Sequence, residues 1–179
     1  MIKVLARWRV ALGFVSGVLV FVLARPTVRS LVAGTLVALL GEALRVWAAG
    51  HLNKSREVTS SGPYRWFAHP LYVGSSIMGA GLAIASSSLA AAVAIALYLG
   101  TTLTAAIRSE EQFLRSAFGG EYDRYRRREA NRSGDERRFS MTRVLANHEH
   151  RAALGLAVAV LLLLLKATYN GMFWRQPGG

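Results

Sequence analysis

The segment LYVGSSIMGAGLAIASSSLAAAVAIALYLGTTLTAAI occupies positions 71–107 and contains no charged residue. A membrane-spanning helix needs about 20 apolar residues, with a lower limit of about 17, so this segment is long enough to cross a bilayer twice. The serines at positions 86–88 lie near its middle and predict the turn between the two crossings. The segment therefore predicts a transmembrane helical hairpin.

Three further segments have the composition of membrane helices. Positions 10–24 are uncharged, positions 31–50 contain only Glu42 and Arg45 as charges, and positions 152–165 consist almost entirely of Leu, Ala and Val. Together with the hairpin they predict about five transmembrane helices. Their expected bounds are about 8–25, 30–50, 71–86, 88–107 and 152–170. We expect an all-α polytopic membrane helical bundle that forms a single domain over residues 1–179.

Composition excludes several classes of function. The chain has 22 Lys and Arg against 10 Asp and Glu, and 53% of its residues are hydrophobic. On a membrane protein such a basic excess indicates topology and contact with anionic headgroups, and no nucleic-acid recognition motif accompanies it. The absence of cysteine excludes disulfides, thiolate nucleophiles and cysteine-based zinc sites. The run from His148 to His150 has no further ligand cluster, so we expect no metal site.

The positions of the basic residues predict an orientation. Lys and Arg are concentrated before the first helix, in the 51–70 loop and in the 108–151 segment, which all lie on one side if each helix crosses once. The positive-inside rule places this side in the cytoplasm. We expect an inner or plasma membrane protein with its N-terminus in the cytoplasm and its C-terminus outside.

A polar cluster lies at each end of the uncharged segment. Before it, His69 and Pro70 begin a helix, where free N–H groups favour an anion. His69 either contributes to such a site or merely caps the helix. After it, Glu110 and Glu111 are either two solvated charges or include one that points into the bundle and binds a cation such as an amine or a sulfonium.

Two features within the helices have alternative interpretations. Glu42 and Arg45 are three residues apart and can share a helix face, either as a structural ion pair or facing a substrate. Gly74, Gly79 and Gly81 leave parts of the third helix without side chains. They allow either close helix packing or a flat wall on which an adenosine can lie.

The motifs around these residues resemble the superfamily of isoprenylcysteine carboxyl methyltransferases and phospholipid methyltransferases. Its pattern is Gly-Pro-Tyr, then Arg-His-Pro-x-Tyr-x-Gly, a helical hairpin, Glu-Glu-x-x-Leu and Phe-Gly-x-x-Tyr-x-x-Tyr. The corresponding positions here are 62–64, 69–74, 110–114 and 118–125, in the same order. The resemblance covers a core of about residues 40–126.

The resemblance implies S-adenosylmethionine as methyl donor, bound at the cytoplasmic end of the two motif-bearing helices. His69, Tyr72 and Gly74 match the family's cofactor loop. Glu110 and Glu111 match its acidic pair, which is associated with the charged end of the donor. The expected cofactor-binding set is therefore His69, Tyr72, Gly74, Gly79, Gly81, Glu110 and Glu111.

This chain departs from the family pattern at two places. Ala68 replaces the usual Arg, so Arg65 or Arg108 would have to supply the positive charge, and the candidate catalytic residues are Arg65, Arg108 and Glu111. An extra helix at about 152–170 follows the core.

The implied function is methylation of a lipid or lipid-modified small molecule, as by an isoprenylcysteine carboxyl methyltransferase. Two alternatives stay open. One is N-methylation of a phospholipid ethanolamine headgroup, and the other is a non-catalytic membrane scaffold that retains the fold.

Overall fold

The computed structural model describes residues 2–53, 58–127 and 138–169, and the secondary structure of these residues is helical without strands. The helices are α1 (Ile2–Leu23), α2 (Val28–His51), a 3-10 helix (Gly62–Arg65), α3 (Pro70–Ser86), α4 (Leu89–Phe118), α5 (Gly120–Arg126), α6 (Met141–Ala146) and α7 (Glu149–Tyr169). The predicted all-α membrane bundle is confirmed. Within the described part of the chain, three helices, α2, α4 and α7, are long and apolar enough to cross a bilayer, whereas α3 and the apolar segment Leu12–Leu23 are shorter.

One end of the bundle, which we call the Ser87 end, joins α1, α3 and α7. The backbone N–H of Arg25, just after α1, donates to the carbonyl of Ser86 at 2.7 Å. Lys166, near the end of α7, donates to the carbonyls of Phe21 and Val22 and lies 5.0 Å from the Phe21 ring centroid. The ammonium thus caps the last turn of α1, whose carbonyls have no partner within their own helix.

The opposite end, which we call the His69 end, is covered by α6. The Asn147 side-chain amide donates to the carbonyls of Ala49 and Leu52 at 3.0 and 3.1 Å. Arg143 Nε donates to the carbonyl of Gly50 at 2.7 Å. These bonds satisfy the C-terminal carbonyls of α2 and fix the start of α7 beside the end of α2. The apolar helices therefore alternate in direction between the two ends in the order α1, α2, α3, α4 and α7.

A glycine seam joins α2 to α3. It consists of Gly34 and Gly41 on α2 and Gly74 and Gly81 on α3. A Cβ atom added to Gly41 would lie 2.5 Å from the backbone nitrogen of Met78 and 2.6 Å from the carbonyl oxygen of Gly74. The two backbones are thus in direct contact, as is common where small residues pack membrane helices.

Candidate functional site

The two polar clusters predicted from the sequence meet at the His69 end. His69 Nε2 lies 3.2 Å from Glu111 Oε1, and His69 Nδ1 lies 3.7 Å from Glu110 Oε2. The imidazole is 12% exposed, and the two carboxylates are 39% and 21% exposed for Glu110 and Glu111. One largely buried imidazole therefore faces two carboxylates that solvent still reaches.

The backbone before α3 explains where His69 points. Pro70 occupies the first helical position, and the His69 side chain makes no capping hydrogen bond, so its ring is directed to the acidic pair instead. The preceding 3-10 helix folds onto α2, since a Cβ atom on Gly62 would lie 2.6 Å from Cγ of His51. Gly62 also has a φ of 56°, which glycine adopts without strain.

The acidic pair is carried by an extension of α4 beyond the apolar segment. The helix continues to Phe118 and ends at Gly119, which has a φ of 47°. This extension places Glu111 one turn beyond Ile107. The fourth helix thus extends beyond its expected membrane-spanning part of about 88–107.

A cavity of about 730 Å³ lies between α3 and α4. At the His69 end its lining includes Trp66, Phe67, Ala68, His69 and Tyr72, and the other lining residues of α3 and α4 are mostly small or apolar. These other residues are Val73, Ser76, Gly79, Ala80, Ala83, Ala92, Ile95, Ala96, Leu99, Gly100, Leu103, Thr104 and Ile107. Its volume falls within the range of about 300–1,000 Å³ that small-molecule sites occupy.

The predicted site residues divide into three groups. His69, Tyr72 and Gly79 line the cavity, and Glu110 and Glu111 adjoin it through their contacts with His69. The rings of His69 and Tyr72 are 5.7 Å apart. These residues form the group that the structure brings together.

Gly74 and Gly81 belong to the glycine seam and face α2 instead of the cavity. A Cβ atom on Gly74 would lie 2.6 Å from Cγ of Arg45, and one on Gly81 would overlap the backbone nitrogen of Ala38. The alternative of close helix packing is the one that their positions support. We therefore leave both glycines out of the proposed donor site.

Arg65 and Arg108 are exposed and are not among the residues that line the cavity. Sequence reasoning did not identify the aromatic entrance formed by Trp66 and Phe67 or the alanines of the cavity lining. Trp66 lies two residues after Tyr64 of the Gly-Pro-Tyr motif, and its ring centroid is 5.6 Å from that of Trp47. The adjacent aromatic residues Trp66 and Phe67, close to a motif, were the available signal.

The environment of His69 changes its proton affinity. Burial alone would lower the pKa of His69, but hydrogen bonds to Glu110 and Glu111 and the charges of these carboxylates outweigh burial and raise the pKa above the ordinary 6.5. When it is protonated, the imidazole gives the acidic pair a counter-charge.

This raised pKa predicts a pH dependence of stability. Because the folded pKa is above the unfolded one, the stabilisation is complete below about pH 6.5 and is lost as pH rises through the folded pKa. We expect the melting temperature of the detergent-solubilised protein to fall between pH 6 and pH 9, and the fall to be smaller in His69→Asn. If the melting temperatures of the wild type and His69→Asn fell equally with pH, this prediction would be contradicted.

Comparison with known proteins places these residues in context. A family model described as phospholipid methyltransferase matches residues 8–121, which include both polar clusters and end before α6. The chain is 35% identical over 130 residues to the cobalt-zinc-cadmium resistance protein CzcN of Cupriavidus metallidurans, covering 68% of this chain and 59% of that relative.

A second relative is the nickel-cobalt-cadmium resistance protein NccN of Alcaligenes xylosoxydans xylosoxydans. The chain is 35% identical to it over 100 residues, which are 55% of this chain and 46% of the relative. The chain therefore spans about half the length of the curated relatives it matches. No solved structure matches the chain.

Proposed function

The chain belongs to the phospholipid methyltransferase family, and from this premise we propose that it transfers a methyl group from S-adenosylmethionine to a lipidic acceptor. The observation that carries the proposal is the meeting of His69 with Glu110 and Glu111 at the polar end of the cavity. The donor would be bound at this end. The acceptor would enter the apolar part between α3 and α4 from the bilayer.

The residues at the polar end suit the charges of this donor. S-adenosylmethionine presents a sulfonium, an ammonium and a carboxylate, and the bound donor supplies a methyl group on positively charged sulfur. Glu110 and Glu111 would attract the cationic groups, and the N-terminus of α3 would attract the carboxylate. Gly79 is also in the cavity wall, but its lack of a side chain lets Cδ1 of Leu99 on α4 pack against its backbone, so we assign no adenosine contact to it.

The contribution of the protein to catalysis would be alignment and the exclusion of water. Methyl transfer requires the acceptor atom, the methyl carbon and the sulfur to be in line, and a fixed geometry supplies much of the rate enhancement. Trp66 and Phe67 flank the polar end of the cavity and would shield it from water. Glu111 is the candidate catalytic residue because it is closest to His69.

The identity of residue 68 favours a neutral or amine acceptor. Ala68 lines the cavity, and no Arg or Lys is among the described residues that line it. A carboxylate acceptor would find no arginine or lysine among these residues to pair with, and an ethanolamine headgroup would meet no repulsion from such a side chain. The phospholipid amine is therefore our preferred acceptor class, with a prenylcysteine carboxylate as the alternative.

We expect weak methylation of a prenylcysteine analogue by the wild-type protein and stronger methylation by Ala68→Arg. The introduced guanidinium would pair with the carboxylate in the cavity. The measurement is transfer of a labelled methyl group, with Ala68→Gln as the uncharged control of similar length. Efficient wild-type methylation that Arg65→Ala abolishes would restore the carboxyl methyltransferase interpretation.

The experiment that tests the proposed function is a methyl-transfer screen. The full chain in nanodiscs would be incubated with labelled S-adenosylmethionine and membrane lipid extracts, and donor binding would be measured by calorimetry. We expect label in a lipid fraction. Donor binding without transfer to any lipid would favour the non-catalytic scaffold, and absence of binding would refute the methyltransferase proposal.

We further propose that the His69 end faces the cytoplasm, because basic residues are concentrated there. Ser116 and Ser87 are exposed at opposite ends of the bundle, and the native chain has no cysteine. In intact cells an impermeant thiol reagent should label Ser87→Cys and should label Ser116→Cys only after permeabilisation. Labelling of Ser116→Cys from outside would reverse the orientation.

The names of the relatives suggest a physiological setting. Both are described as resistance proteins for divalent metals. We propose that this chain supports metal tolerance through its methyl-transfer activity. A deletion strain should become metal-sensitive and should be complemented by the wild-type gene but not by the Glu111→Gln variant. Complementation by that variant would separate metal tolerance from methylation.

A further inference from the structure

Arg45 joins three helices behind the candidate site. From α2, its Nε lies 2.6 Å from Glu149 Oε1 at the start of α7. Its Nη1 donates to the hydroxyl of Ser75 and, at 3.5 Å, to the carbonyl of Leu71, both on α3. The side chains of Arg45 and Glu149 are only 17% and 5% exposed.

The path of Arg45 to α3 depends on the absence of a side chain at position 74. A Cβ atom on Gly74 would lie 2.6 Å from Cγ of Arg45 and 2.7 Å from the carbonyl oxygen of Gly41. The aliphatic stem therefore passes over bare backbone before the guanidinium reaches Leu71 and Ser75. Gly74, the glycine of the His-Pro-x-Tyr-x-Gly motif, thus makes room for the Arg45 side chain in this chain, a role that needs no contact with a donor.

The contacts of Arg45 fall on the first two turns of α3. This is the segment that begins after His69, and its other face lines the cavity through Tyr72 and Ser76. Arg45 thus holds the back of the segment whose front forms the site. A shift of this segment would move His69 relative to Glu111.

A second carboxylate competes for Arg45. Glu42 is on the same helix, with Oε2 3.6 Å from Arg45 Nε, and neither of its buried oxygens accepts a hydrogen bond. The tight contact of Glu149 holds the guanidinium across the helix interface. Without Glu149, attraction to Glu42 would draw the guanidinium back along α2 and away from α3.

We propose that Arg45 is a positioning residue for the donor site, and that Glu149 of the C-terminal helix holds it against α3. This proposal rests on the proposed function. It assigns a role to α7, which lies outside the residues matched by the family model. Placement of His69 then depends on a contact between residues 104 positions apart in the sequence.

The test compares variants of the full chain in nanodiscs. The probe is S-adenosylhomocysteine, and the readouts are its dissociation constant, the melting temperature, and hydrogen exchange of backbone amides 71–76 in the ligand-free protein. We expect Glu149→Gln to weaken binding about tenfold, which corresponds to about 1.4 kcal/mol, and to accelerate exchange in this segment several-fold. Glu149→Asp should restore part of the affinity.

Two matched controls separate positioning from general destabilisation. Glu42→Gln removes a carboxylate near Arg45 without removing a contact between helices, so binding should stay within twofold of wild type. Lys166→Met removes a different contact of α7, at the Ser87 end, and should leave exchange at 71–76 unchanged. If Glu149→Gln lowers only the melting temperature, as Lys166→Met is expected to do, the proposal is wrong.

Ser75→Ala provides a second route if Glu149→Gln does not fold. It removes the hydroxyl that accepts from Arg45 and donates to the Leu71 carbonyl, and it keeps the ion pair. We expect binding about threefold weaker, or about 0.65 kcal/mol. Unchanged binding and exchange in Ser75→Ala would contradict the proposal. If the wild type does not bind the probe, the proposed function fails, while the exchange data still decide whether Arg45 and Glu149 hold α3.

Discussion

Gly41→Ala is expected to destabilise the protein by about 3 kcal/mol, at the upper end of the cost of overpacking a well-packed interior. The added Cβ would lie 2.5 Å from the nitrogen of Met78 and 2.6 Å from the carbonyl oxygen of Gly74. Both obstacles are backbone atoms, so no side-chain rotation relieves the overlap and α2 and α3 must separate. Separation would also weaken the contacts of Arg45 with α3.

Gly155→Ala on α7 is the matched control for this substitution. A Cβ atom there has no described heavy atom within 4 Å, so the helix only exchanges glycine for a better helix former. Thermal unfolding in detergent should give a much lower melting temperature for Gly41→Ala than for the wild type and no decrease for Gly155→Ala. Equal melting temperatures for the two variants would show that the glycine seam does not require direct backbone contact.

Glu111→Gln is expected to weaken binding of S-adenosylmethionine by about 1.5–3 kcal/mol, or roughly 10- to 150-fold. The substitution keeps the size of the side chain and removes one negative charge from the pair that faces His69. Glu110 would remain, but it is more exposed and its carboxylate lies farther from the imidazole. Its substitution should therefore have the smaller effect.

Asp123→Asn is the control for the loss of a carboxylate. Asp123 pairs with Arg115 at 3.8 Å on the surface, where both side chains are at least half exposed, and such pairs contribute little. Calorimetry should give wild-type affinity for this variant. If neither Glu110→Gln nor Glu111→Gln changes donor affinity, the acidic pair is not part of the donor site.

The helices and the meeting of the two polar clusters follow from local sequence features. An uncharged segment with serines at its middle must fold into a hairpin, and a hairpin returns its two ends to the same side. His69 and Glu111 flank this segment, so their contact required only that the hairpin close. Their roles in binding a donor stay predictions.

The sequence alone could not divide the glycines of α3 between two faces. Gly79 and Gly81 are two residues apart and so point about 200° away from each other on a helix. Which of them faces the cavity depends on where α2 packs, and α2 is separated from them by a loop without a pairing signal. The structure puts Gly81 against α2 and Gly79 in the cavity wall.

The sequence alone could not identify the closest partner of Arg45 either. Glu42 was the local candidate because it is three residues away on the same helix, and the ion pair is present at 3.6 Å. Glu149 makes the shorter contact, but it is 104 positions away in the sequence. Acidic residues are common in the first turn of a helix, so its position did not indicate a partner in α2. Only the packing of α7 beside α2 brings it to Arg45.

The cap that Lys166 places on α1 has a consequence for biogenesis. Synthesis proceeds from the N-terminus, so the end of α1 is made 144 residues before the ammonium that binds the carbonyl of Val22. Until α7 is inserted, these carbonyls must find water or lipid headgroups. Nascent chains that stop before α7 should therefore have a frayed end of the first helix, and insertion of α7 would then cap it.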